Sequence, residues 1–341
     1  MELDVLNRTI SREAVPPGSS VIRFLDESET LCARLPGKQE GGMARIISIV
    51  NQKGGVGKTT TAVNLAAGLA LSEKRVLLLD LDPQSNSTRC LGYMADSGRP
   101  SVYDALVDGF ALRDTFLPTD VERLTLAPSE PALVGFEVEA LTRDGREYIL
   151  RRLVLDAGEF DFIFIDCPPS LGVLTVNGLA AADSVLIPVQ CEYLALEGVT
   201  LLMGTLERVR QAVNPALEVH GILLTMYDER TNLSRQVVED IRSYFGEKAY
   251  ATIIPRSVRL SEAPSFGKPI FLYDPKSKGA EAYFSLAREV LDREEHQSTQ
   301  LATTRSSAET ETPAVEPKAA DAVVEVPPND ERPRLPESEA H

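Results

Sequence analysis

From Arg45 onward, short apolar runs bounded by turn signals alternate with longer stretches whose apolar positions recur every three to four residues. The runs 46–50, 76–81, 162–165, 185–189, 219–225 and 251–254 are almost wholly apolar, which predicts strands buried on both faces. Between them, 61–71, 144–156, 172–182, 196–213, 232–245 and 279–293 carry the helical period. Strands separated by helices predict a single α/β domain, a mostly parallel twisted sheet with helices on both faces. Sheets of this kind take their ligands beyond the carboxyl ends of the strands. From 92 to 131 the pattern breaks under Gly92, Gly98, Pro100, Gly109, Pro118 and Pro128, although 102–107 predicts a short helix and 124–127 a further strand.

The connection between the first strand and the first helix carries the chemistry. It reads Asn51-Gln52-Lys53-Gly54-Gly55-Val56-Gly57-Lys58-Thr59-Thr60. In a phosphate-binding loop, backbone N–H groups cradle phosphates, the lysine after the last glycine reaches the β/γ oxygens, and the following hydroxyl serves Mg²⁺. Gly57, Lys58 and Thr59 supply that second half. Where the usual first glycine belongs stands Gln52, and beside it Lys53, a second cation that the ordinary loop does not need. A lysine there points away from the phosphates its own backbone wraps, so it predicts a facing subunit whose nucleotide it reaches. A solvated surface lysine is the alternative.

Two more segments end at the same sheet edge. The second run closes in Leu79-Asp80-Leu81-Asp82-Pro83-Gln84, and alternate strand residues share a face, so Asp80 and Asp82 are both candidates for the γ-phosphate and Mg²⁺ region. The run 162–165 is followed by Asp166-Cys167-Pro168-Pro169-Ser170, an apolar strand ending in an acid that supports Mg²⁺ through water. Residues 171–177 then occupy the place of a segment that senses the γ-phosphate. Loop and acids together predict a P-loop NTPase that hydrolyses its nucleotide.

Composition narrows the partners. The chain of 341 residues has a formal net charge of −16, so any nucleic-acid affinity must come from a local basic patch. The four cysteines, Cys32, Cys90, Cys167 and Cys191, show no metal-ligand spacing, and no signal peptide or long apolar span is evident, which predicts a reduced, cytoplasmic protein. Residues 1–42, rich in Gly and Pro with one short apolar patch, predict a flexible extension, Met43 being an alternative start; 43–296 form the ATPase domain. Residues 297–341, without an aromatic, predict a disordered acidic tail.

Over roughly 44–294 the sequence resembles the ParA/Soj chromosome- and plasmid-partitioning ATPases, within the ParA/MinD group of deviant-Walker proteins. The residues that carry the likeness are 51–60, Asp80-Leu81-Asp82-Pro83-Gln84, 166–172, Pro188-Val189-Gln190-Cys191-Glu192 and 254–265. The resemblance implies an ATP-sandwich homodimer with Lys53 on the partner's phosphates. It implies Gly54, Gly55, Val56, Gly57, Lys58, Thr59 and Thr60 on the chain's own ATP, Asp82 as the hydrolytic acid, and Met226 and Pro255 near the adenine. Thr59, with Asp80 and Asp166 through water, would serve Mg²⁺. It further implies nucleoid association through sequence-independent DNA contacts at Arg230 and Arg259, and a ParB/Spo0J-like protein that stimulates slow hydrolysis. Each arginine also lies in a polar or Pro-bracketed segment suited to phosphates, a surface ion pair being the alternative. A relative that positions another cargo on the nucleoid would carry the same residues. A MinD-like membrane regulator is disfavoured, because no basic amphipathic helix follows Leu291 and no membrane partner is expected.

Overall fold

The computed structural model describes residues 44–95 and 98–310, and the chain divides into two units, Met1–Arg293 and Glu294–His341. In the first unit an eight-stranded sheet runs in the order β3-β4-β2-β5-β1-β6-β7-β8. The strands are β1 (Arg45–Ile49), β2 (Val76–Asp80), β3 (Leu117–Pro118), β4 (Leu124–Ala127), β5 (Phe162–Asp166), β6 (Ser184–Gln190), β7 (Glu218–Tyr227) and β8 (Ala249–Pro255). All neighbouring pairs are parallel except β3 with β4. The helices are α1 (Lys58–Leu71), α2 (Asn86–Cys90), α3 (Val102–Val107), α4 (Val134–Glu139), α5 (Ile149–Leu155), α6 (Val173–Ala181), α7 (Ala195–Ala212), α8 (Asn232–Phe245), α9 (Val258–Glu262), α10 (Ile270–Tyr273) and α11 (Lys278–Thr310).

The sheet is buried on both faces, as its apolar runs require. Leu77, Leu79, Ile163 and Ile165 belong to one core, whereas Val76, Leu78, Phe162 and Phe164 belong to the other. That alternation follows from the two-residue period of a strand. α1 is buried from Thr61 to Ala70, and Tyr283, Leu286, Ala287 and Val290 of α11 lie in the same core. Packing is close: a Cβ on Gly178 of α6 would come within 2.8 Å of the Cys167 sulfur, so glycine is what lets α6 lie against the strand that ends in Asp166.

The expected strands are present within two residues of their bounds, and the helix expected over 61–71 begins three residues earlier, at Lys58. Helix 144–156 is instead a 3₁₀ turn, Arg146–Tyr148, followed by α5. α11 also runs past 296, so residues 297–310, the described part of the expected tail, are helical; no Gly or Pro interrupts the stretch from Leu291 until Pro313. The expected extension 1–42 and the rest of the expected tail lie outside the described residues.

Candidate functional site: a phosphate loop at the sheet edge

The loop after β1 is shaped before any ligand is considered. Asn51 ties it down, its Nδ2 donating to the Pro188 carbonyl of β6 (2.7 Å) and its Oδ1 accepting from the Lys53 N–H (3.0 Å). Gly55 and Gly57 adopt φ of 76° and 92°, the left-handed region where glycine carries no Cβ penalty. Gly57 then caps α1, with Thr61 N–H donating to its carbonyl (2.9 Å). From β7, Thr225 Oγ1 donates to the Val56 carbonyl at 2.8 Å and fixes the loop's far side. The first turn of α1 contains no acid, so its free N–H groups face the cavity as an anion site.

A cavity of about 310 Å³ opens over this turn, lined by Gly54, Gly55, Gly57, Lys58, Thr59, Thr60, Asp82, Gln84, Asn86, Pro169 and Met226. Lys58 is buried, its Nζ donating to the Lys53 carbonyl at 3.3 Å. Burial pushes its pKa down, and the charges of Asp166 and Asp82 oppose that shift. Asp82, also buried, accepts the Gln84 N–H at 2.9 Å and stands at the cavity wall. Ser129 donates to the Asp82 carbonyl (2.7 Å), which holds the turn in place.

Asp80 and Asp166 lie one layer deeper, off the cavity lining. Asp80 Oδ2 accepts from the backbone N–H and hydroxyl of Thr88 (2.8 and 2.7 Å), and its Oδ1 from the Asp82 N–H (3.2 Å). Its hydrogen-bonding capacity is thus committed to α2 and the turn before it rather than facing the cavity. Asp166 Oδ2 accepts from Ser87 Oγ at 2.8 Å, while its Oδ1 is buried with no hydrogen-bond partner. A buried carboxylate oxygen left over in this way suits the water shell of a hard divalent cation.

A second cavity, about 320 Å³, shares Gly57, Thr60 and Met226 with the first and adds Ile254, Pro255, Arg256, Leu260, Pro264 and Tyr283. Its apolar walls suit a flat ring. Met226 holds an unusual backbone, φ 52°, where the two cavities meet. The structure therefore brings Met226 and Pro255 together beside the loop.

Lys53 is more than half exposed and ion-paired with Glu192 of the same chain, just past β6. Arg230 is 82% exposed and clamped by Asp228, with Nε to Oδ1 at 2.8 Å and Nη2 to Oδ2 at 2.7 Å. Arg259 donates to Glu262 (3.0 Å) and pairs with Asp274 (3.3 Å). Both arginines are thus in surface ion pairs, the alternative weighed for them. The two segments adjoin, because Arg256 N–H donates to the Tyr227 carbonyl at 2.9 Å. Sequence reasoning missed Thr225, Gln84, Asn86, Arg256 and Tyr283. Gln84 and Arg256, inside the Asp-Pro-Gln and 254–265 segments, carry a local signal; Thr225, Asn86 and Tyr283 reach the site through tertiary packing.

An AAA domain family model matches residues 44–219. The chromosome partitioning protein ParA of Myxococcus xanthus is 53% identical over 262 residues, covering 76% of this chain and 93% of that one. The sporulation initiation inhibitor protein Soj of Bacillus subtilis is 54% identical over 249 residues, covering 73% and 98%. A crystal structure described as cobyrinic acid a,c-diamide synthase from Mycobacterium smegmatis, with bound ADP and magnesium, is similar at a TM-score of 0.65 and 42% identity, covering 73% of this chain and 94% of that one. The Pyrococcus furiosus cell division ATPase MinD follows at 0.61 and 27%, covering 73% and 99%. The chain belongs to the ParA/Soj family of chromosome-partitioning ATPases.

Proposed function

We propose that the chain is an ATP-driven partitioning switch: with ATP and Mg²⁺ it closes as a homodimer on DNA of any sequence, and hydrolysis, accelerated by a ParB/Spo0J-like partner, releases it. The observation that carries this reading is the joining of a lysine-floored phosphate cavity to an apolar ring pocket through Gly57, Thr60 and Met226. The loop amides and Lys58 hold the β- and γ-phosphates, and Thr59, Thr60 and the apolar pocket of Met226 and Pro255 seat the rest of the nucleotide. Thr59 and the free oxygen of Asp166 would hold Mg²⁺ through its water shell, with Asp80 behind them; the cation supplies charge neutralisation on the phosphates. Asp82, at the cavity wall, orients the attacking water. The water's oxygen bonds to the γ-phosphorus as the bond to the ADP oxygen breaks, with most of the acceleration coming from positioning and electrostatics.

Lys53 is the dimer residue in this reading, leaving Glu192 to reach the facing subunit's phosphates. Arg230 and Arg259 meet DNA phosphates when two copies present them on one face. Their present ion pairs lie at the surface, where water screens them, so phosphates displace them readily.

The name of the Mycobacterium relative suggests ATP-dependent amide synthesis instead. Against transfer through a cysteine nucleophile, the described thiols Cys90, Cys167 and Cys191 are all buried, and burial pushes Cys90 and Cys191 up to about 12 and Cys167 higher still. Phosphate release and ATP-dependent dimerisation test the proposal together. Lys58→Ala should lose nucleotide binding, and Asp82→Ala should keep it and accumulate the ATP-bound dimer. Wild-type turnover in Asp82→Ala would remove Asp82 from the mechanism.

A further inference from the structure

The chain that leaves β2 forms one wall of the phosphate cavity, through Asp82, Gln84 and Asn86. Ser85, between the last two, is fully buried and holds φ 55° and ψ 39°. A serine in that left-handed region is strained, and such strain gathers at functional sites. Its N–H donates to the Asp82 carbonyl at 2.8 Å, which closes the turn. The turn sets Gln84 and Asn86, two positions apart, on the same cavity, where their side chains meet: Asn86 Nδ2 donates to Gln84 Oε1 at 3.3 Å. The Gln84 backbone N–H meanwhile donates to Asp82 Oδ1 at 2.9 Å.

These bonds give the Gln84 amide a direction. Asn86 occupies Oε1, so Nε2, with its two N–H donors, is the end left for a ligand. Lys58 is the one cation among the described residues that line the cavity, and Asp82 puts a carboxylate at the wall where the γ-phosphate is attacked. A negative group that orients the water also repels charge on the γ-oxygens, and a neutral donor beside it offsets that repulsion. We propose that Gln84 is a further catalytic residue, donating through Nε2 to a γ-phosphate oxygen in the transition state, and that Asn86 is a positioning residue that holds the amide. As the water's oxygen bonds to phosphorus and the ADP oxygen leaves with its electron pair, both water protons depart with the phosphate; the amide exchanges none. The inference rests on the hydrolysis assigned to Asp82 under the proposed function.

The test is the ATP dependence of phosphate release by the full chain, with ATP-dependent dimerisation and the thermal midpoint measured alongside. Gln84 is exposed, so its replacement leaves the core intact. Gln84→Ala should lower kcat at least about tenfold, as loss of one transition-state donor does, with KM for ATP, dimerisation and the midpoint unchanged. Gln84→Glu keeps the length but replaces the donor with a negative charge, and its kcat should fall at least as far. Asn86→Ala should lower kcat by a smaller factor, again without moving KM. Wild-type kcat in both Gln84 variants overturns the catalytic role and leaves Asp82 untouched. A raised KM with unchanged kcat reduces Gln84 to ground-state binding, and a lost dimer assigns it to the subunit interface; either overturns the proposal. Wild-type kcat in Asn86→Ala overturns the positioning role alone. Wild-type turnover in Asp82→Ala overturns the reading beneath the proposal, a result read independently of the Gln84 variants.

Discussion

Asp80 and Asp166 stand opposite one another, in register at the carboxyl ends of β2 and β5, and both are completely buried. Burial, then the charge of Asp166, holds Asp80 well above the usual carboxylate range, and burial raises Asp166 as well, against the Ser87 hydroxyl. Two like charges set this deep are stable only when protonated or matched by a cation.

The pair predicts a pH dependence whose sign is fixed. An acid with a raised folded pKa binds its proton more tightly in the folded chain, so stability falls as pH rises from the unfolded value near 3.9 through the raised folded values. The thermal midpoint of the metal-free, nucleotide-free protein should therefore drop between about pH 5 and about pH 8. Asp80→Asn should flatten that drop; parallel profiles for the two proteins would show that the pair does not cause it.

Thr88 is the hub that holds Asp80 in place. Its backbone N–H and hydroxyl both donate to Asp80, and its hydroxyl oxygen accepts from the Ser129 N–H at 3.0 Å. Thr88→Val keeps the shape and leaves two buried groups short of a partner, which costs about 1–3 kcal/mol for each group left unsatisfied. Denaturant unfolding should show a lower midpoint with an unchanged slope. A loss under about 0.5 kcal/mol would mean that water or relaxation satisfies the pair.

Under the proposed function Asp228 competes with DNA for Arg230. The guanidinium holds the Asp228 carboxyl down at about 2, so the clamp is fully formed at neutral pH. Asp228→Ala should raise the affinity of the ATP-bound protein for duplex DNA by about two- to fivefold at low salt, the worth of an exposed pair. Arg230→Ala should lower it and flatten the salt dependence. Equal affinities in both variants would remove Arg230 from the DNA face.

Much of the fold was legible because β2, β5 and β6 are apolar except at their ends and the helices between them keep one period. The loop was legible for the same reason that it works: Gly57, Lys58 and Thr59 must be contiguous to wrap one phosphate group. Asp80 read as a phosphate-facing acid because strand alternation puts it on a face with Asp82, but the chain has left the strand by Leu81, and Thr88 takes up the carboxylate. α2, α4, α9 and α10 are too short to show a period.

The most direct test of the account is binding to an arbitrary linear duplex with ATP and with ADP, using Asp82→Ala to suppress turnover and Arg230→Ala/Arg259→Ala as the control. A DNA-gated switch gives a salt-sensitive complex with ATP alone, lost in the double variant. Equal binding with ATP and ADP, or full binding by the double variant, would contradict it.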